Sequence, residues 1–159
     1  MSSIQSVIDL QAYTGTYNQL SEAIAGLSEE QLKQKPAPDK WSITEVLSHL
    51  ADHNIVVSLR IRKIIAEPHA ELPAFQQDPW VSESKANESS AEDILAVFRA
   101  LLTYNSLLFQ RLSPEDWNKS GINFKGESVT LLSAVQGFVK HVQTHLGQID
   151  RIKGTFHEA

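Results

Sequence analysis

Six histidines stand in the chain, at 49, 53, 69, 141, 145 and 157. Four of them form two i,i+4 pairs, His49 with His53 and His141 with His145. Residues four apart share one face of a helix, with Cβ atoms about 6 Å apart, and that spacing suits chelation of one ion. A shuffled chain of this composition holds about 0.2 such pairs, so two of them demand a reason. Each pair adjoins an apolar stripe: His49 beside Leu50, His141 beside Val142, His145 beside Leu146. Imidazoles placed there converge on an interior, where an unsatisfied polar group costs about 1 to 3 kcal/mol. A bound divalent metal removes that penalty. A lone His beside an apolar stripe is best read as a packing residue; the paired set is best read as ligands. His69, in a Pro-flanked loop, and His157, near the tail, read as solvated surface and are assigned nothing.

Three neutral imidazoles leave positions open on Zn²⁺, Ni²⁺ or Fe²⁺, and open positions separate reactive sites from structural ones. A ferritin-like di-iron centre needs a Glu on each of two helices and Glu-x-x-His on the others; here Glu45 lies four residues before His49, and the later pair has no such Glu. His141-Val142-Gln143-Thr144-His145 has the spacing of a zinc-protease helix but carries Val and Gln where the general-base Glu belongs. Any nucleophile must then be activated by the metal itself, as bound water or as a thiolate. Because a metal-bound imidazole is neutral, occupancy is expected to fall below the ordinary His pKa of about 6.5.

The elements that must position these rings are helical. Apolar residues recur at three and four in four stretches. The first runs from about Ile4 to Ala25, with Leu10, Tyr13, Tyr17 and Leu20 in its stripe and Gly15 weakening it. The second follows Trp41, where Ser42 and Glu45 match a capping box; it buries Val46, Leu50, Val57, Ile61 and Ile64 and ends at Glu67-Pro68. The third starts at Ser89 or Ser90, with Glu92 three past Ser89, and its stripe through Phe98, Leu102 and Leu108 is interrupted by Asn105. The fourth runs from about Thr130 to Lys153, with Gly154 as its stop. No run alternates over strand length, so the fold class is all-α. Leu27 to Leu32 and Leu112 to Trp117 echo each other, which suggests two helical hairpins. The segment from Glu67 to Ser89 is long enough to cross a helix of about 36 Å from end to end. Its Phe75 and Trp80 are candidates for a lid, or simply for aromatics that pin a long loop.

With 159 residues the expectation is one domain spanning the whole chain. The absence of Cys removes disulfides, thiolate metal sites and protein-thiol nucleophiles, and agrees with a reducing cytoplasm. A net charge of −5 would repel phosphate backbones and anionic lipid, so nucleic acid and membrane are poor partners. The start of the chain lacks the basic-then-apolar pattern of an export signal.

Trp41-Ser42-Ile43, Glu45-Val46-Leu47, His49-Leu50-Ala51-Asp52, Gly126 to Thr130 and His141-x-x-x-His145-x-x-Gln148-Ile149 together resemble the DinB-like superfamily, and Asp78-Pro79-Trp80 is similar to its YfiT-like branch. The resemblance covers most of the chain. It implies a four-helix bundle with a long crossover between helices two and three, commonly a homodimer, holding a divalent metal, zinc or nickel, on His49, His141 and His145. It implies no primary ligand role for His53, which then lines the pocket; Asp52 is placed to orient a ligand imidazole. Asn54 stands where the family pattern often has an acidic residue. Members are described as candidate metal-dependent hydrolases and as transferases or isomerases that use a low-molecular-weight thiol. The expected function is thus metal activation of water or thiol for attack on a small electrophilic substrate. The alternative is a stress-response module that binds metal or a small ligand without turnover. No residue is assigned as a catalytic base.

Overall fold

The computed structural model describes residues 9–157. Within them lie seven α-helices: α1 (Leu10–Thr14), α2 (Thr16–Ala23), α3 (Glu29–Lys33), α4 (Ile43–Ala66), α5 (Gln77–Glu83), α6 (Ala91–Gln110) and α7 (Leu131–Gly154). The expected first helix is the α1–α2 pair; its proposed start at Ile4 lies outside the described residues. Gly15 keeps helical torsions, with its N–H bonded to the Gln11 carbonyl at 2.8 Å, so α1 and α2 follow one path.

α4 begins where the capping box was read. Ser42 Oγ accepts from the Glu45 N–H at 3.1 Å, and Glu45 Oε1 accepts from the Ser42 N–H at 3.0 Å. α6 is capped by Ser90, which accepts from the Asp93 N–H; the alternative of Ser89 with Glu92 is not formed. α7 starts on Thr130, whose Oγ1 accepts from the Ser133 N–H at 3.0 Å. It ends at Gly154, as expected, but not through a left-handed glycine. Thr155 keeps right-handed torsions and the chain runs on into a 3-10 turn, so no left-handed glycine is needed there.

α1 and α2 pack against α6 and α7, and α4 packs against the same two helices. The first and second long helices (α1–α2 and α4) therefore sit on one diagonal of the bundle and the third and fourth (α6 and α7) on the other, and the expectation of two helical hairpins is wrong. The echo it rested on is local: α3 carries the capping box of Ser28 and Gln31, and the 3-10 turn Pro114–Asn118 carries that of Ser113 and Asp116. Each serves to bury one anchor, Leu32 or Trp117.

The crossover does traverse the bundle. After Glu67 the chain passes through α5, and Asn87 then accepts from Ser42 Oγ and donates to the Lys33 carbonyl at 3.1 Å, next to the start of α4. α6 thus runs parallel to α4, and α7, paired with α4 through His49 and His145, runs antiparallel to it. The long return is what makes a parallel neighbour possible.

A small two-stranded sheet accompanies the helices of an all-α fold. β1 (Ser120–Ile122) and β2 (Ser128–Thr130) pair antiparallel with Gly121 opposite Val129. Three-residue strands are too short to show alternation. The turn between them needs Gly126, at φ +81°, a region glycine enters freely. Ile122 exchanges backbone hydrogen bonds with Ala70 and Leu72, which pins the crossover over the start of α7. Among the described residues no helix is long and apolar enough to cross a membrane.

Candidate metal centre

α4 and α7 are antiparallel neighbours, so residues one helical turn apart on each helix meet across one gap. His49 comes from α4, and His141 and His145 from α7. One ring nitrogen from each lies within 4.8 Å of the others. The Nε2 of His141 is 3.2 Å from that of His49 and 3.1 Å from that of His145. Nitrogen ligands at about 2.05 Å on a tetrahedral zinc stand about 3.3 Å apart. The two separations to His141 match.

Proton bookkeeping shows why three bare rings are a poor arrangement. His145 Nδ1 donates to Gln148 Oε1 at 2.7 Å, which leaves its Nε2 as a lone pair aimed into the cluster. His141 Nε2 touches both other Nε2 atoms. A single N–H cannot serve two such contacts well, and any other tautomer sets lone pair against lone pair. A cation among the three accepts every lone pair at once.

Burial keeps the rings neutral. His49 is fully buried, and its pKa falls from the ordinary value to about 3 through desolvation, with His145 and His141 adding to the shift. Desolvation, then His145, lowers His141 to about 4. His145 is lowered by burial and held back by its bond to Gln148. Neutral imidazole is the form that ligates. The proton competition expected at pH 6.5 is therefore displaced to lower pH.

Buried nitrogen and oxygen atoms without a hydrogen-bond partner are concentrated here. Among the described residues they are His49 Nδ1, His53 Nδ1, His141 Nδ1 and Trp117 Nε1. Three of the four belong to this cluster. Ligand imidazoles usually donate their second N–H to a carboxylate or carbonyl, and only His145 does so. Asp52 reaches neither His49 nor His141, and does not orient a ligand; burial raises its own pKa.

His53 is one turn beyond His49 and its ring centroid lies 3.9 Å from that of His141, yet it is outside the converging set. Stacked on Phe138, it is lowered to about 2 by burial first and by the neighbouring histidines and Arg60 after it. It lines the adjoining cleft. Phe75 lies stacked 5.7 Å from His49 and meets Trp80 edge-on at 4.9 Å, so the crossover does place an aromatic cover over the rings. Trp41, 5.1 Å from His49, closes another side and was not singled out for this; its place immediately before the capping serine was the available signal. Gln148 was quoted only as part of a motif. His69 is exposed, with φ +55°, apart from the cluster.

Residues 12–149 match the model of the DinB superfamily. A protein of Oceanobacillus iheyensis named as a candidate metal-dependent hydrolase is 23% identical over 143 residues, covering 88% of this chain and 79% of that one. One of Bacillus licheniformis with the same designation is 28% identical over 131 residues, 82% of this chain and 74% of that one. The solved structure of YfiT from Bacillus subtilis, described as a probable metal-dependent hydrolase with an unusual four-helix bundle topology, superposes with a TM-score of 0.86 at 18% identity, over 93% of this chain and 85% of that one. A mycothiol-dependent maleylpyruvate isomerase superposes at 0.68 with 10% identity, over 94% of this chain and 63% of that one. Diagonal helix order, a long crossover and histidines facing each other from α4 and α7 accompany a family match over most of the sequence: this chain belongs to the DinB superfamily and shares the fold of YfiT.

Proposed function

We propose that the protein is a metal-dependent enzyme acting on a small electrophilic substrate, with His49, His141 and His145 as the ligands of one divalent ion, zinc or nickel. The observation that carries this reading is the convergence of three Nε2 atoms with no assignment of protons that satisfies them alone. When bound, such an ion supplies Lewis acidity and lowers the pKa of water or of a small thiol near neutrality. The chain's own residues present neutral donors, fix His145 through Gln148, and exclude bulk water with Trp41 and Phe75. Hydrolysis agrees with the names of the sequence relatives. Transfer to or from a low-molecular-weight thiol is the finer alternative, supported by the fold shared with a mycothiol-dependent enzyme. A homodimer in the cytoplasm, built from one DinB-like domain and free of nucleic acid, completes the proposal.

A second reading has its own support. The metal-ligating group found among the described residues contains no carboxylate. A site without a general base suits a module that holds metal or a small ligand without turnover. Both readings share the ion. Metal content decides first: untagged protein should carry about one equivalent, and His145→Ala should lose more than tenfold of it while keeping its helical circular dichroism. Equal metal content in the variant sinks both. Turnover of model thioesters and epoxides, with and without added thiol, then separates enzyme from module.

A further inference from the structure

Beside the histidines lies a cleft of about 250 Å³, bounded by α4, α7, the β-hairpin and the start of the crossover. Its walls are mostly apolar, with Val57, Leu72, Pro73, Val129 and Phe138, and Asn123 and Ser133 add neutral polar groups. His53 forms the end nearest the cluster. Gly137 borders it on α7, and a Cβ added there would meet nothing within 4 Å, so the glycine keeps the space open.

One full charge lines this cleft, that of Arg60. Its Nε and Nη2 donate to the Pro73 carbonyl at 3.1 and 2.8 Å, which holds the guanidinium in place. Nη1 has no protein partner among the described residues, and the ion pairs found there all involve lysines instead. The side chain is half-buried, and burial pulls its pKa below the ordinary value. A cation withdrawn from water without a counter-charge is unfavourable unless a ligand provides one. The Nη1–Nη2 edge that remains is the two-pronged donor matching a carboxylate. Arg62, one helical half-turn away, shows the contrast: it is committed to Asn105 Oδ1 and the Ser58 carbonyl.

We propose that this cleft receives the substrate of the histidine centre and that Arg60 holds the carboxylate of a small organic acid whose remaining body is apolar. The volume is below that of cavities that take drug-sized ligands, so the acid is short. Its reaction rests on the metal-centre reading above; its capture does not.

The probe is 3-methylbutanoate, with 3-methylbutanamide as the neutral isostere and inorganic phosphate as the competing anion. Each is titrated calorimetrically into zinc-loaded and chelator-treated protein. The acid should bind in both states and at least tenfold more tightly than the amide. Arg60→Gln should weaken it at least tenfold with zinc content unchanged, and Arg60→Lys by less. Gly137→Leu should abolish binding by filling the cleft while keeping or raising thermal stability, which gives a test independent of whether Arg60→Gln folds. Equal binding of acid and amide overturns the proposal, as does wild-type affinity in either Arg60→Gln or Gly137→Leu. Tighter binding of phosphate than of the acid overturns the carboxylate assignment. Arg60-dependent binding in a protein that takes up no zinc leaves this subsite standing and removes the metal reading instead.

Discussion

α4 carries two buried polar groups on different flanks, and they are solved in opposite ways. Toward α6 and α1, Asn105 donates to Tyr13 Oη at 3.0 Å and to Ser58 Oγ at 2.9 Å, and accepts from Arg62 Nη1 at 2.8 Å. Ser58 Oγ in turn donates to Asn54 Oδ1 at 3.3 Å. None of these side chains has a buried atom without a partner. Toward α7, the histidines leave three Nδ1 atoms without one and crowd their Nε2 atoms together. A closed network needs nothing from outside and specifies how the helices pack. An open one is stable only because something else completes it.

The largest expected effect is in the closed network. Asn105→Ala removes the group that joins α6 to both Tyr13 and Ser58 and leaves several buried atoms unpaired, which should destabilise by about 3 kcal/mol. Chemical denaturation measures it, and zinc content should not change. Next comes the open cluster: zinc at about a hundred times its Kd should stabilise the protein by about 2.7 kcal/mol, and a strong chelator should reverse this. A melting curve indifferent to both would mean the histidines are packing residues, and the contrast between the two groups would collapse. A smaller effect, about 1 kcal/mol, is expected for Tyr13→Phe, because Asn105 keeps its bond to Ser58.

The pH dependence separates the groups by sign. In metal-free protein the unfolded chain takes up protons below about pH 6.5, while folded His141 and His49 stay neutral down to about 4 and 3. Stability should therefore fall as pH drops through that window. Tyr13 is pushed up to about 12 by burial, so its folded hydroxyl keeps its proton while unfolded tyrosine loses one near 10. Stability should fall there as pH rises. Tyr13→Phe should flatten the alkaline limb alone, and His141→Ala the acid limb alone; a shared response in both limbs would mean that the two groups are one coupled network.

Much of this was visible in residue order. The capping box at Ser42, the stop before Pro68 and the burial of Val46, Leu50, Val57, Ile61 and Ile64 are local consequences of side-chain chemistry and a 3.6-residue period. The histidine pairs were visible for the same reason, since spacing of four on one helix is itself geometry. Asn105 was misread as a break in a stripe because its partners, Tyr13 and Ser58, are 92 and 47 residues away. Gly154 is the last residue of α7, as expected, but the chain leaves it through right-handed torsions at Thr155 rather than through a left-handed glycine.

By itself, then, the sequence determined the helices, their ends and which faces carry imidazole, because those depend on neighbours within one turn. Only the tertiary structure decided that α4 lies beside α6 and α7 rather than beside α1 and α2. It also decided which three of four paired histidines converge, that Asp52 reaches none of them, and that Arg60 faces a cleft without a counter-charge. These are relations between segments distant along the chain, set by how diagonal helices and a long crossover close around one core, and no local pattern encodes them.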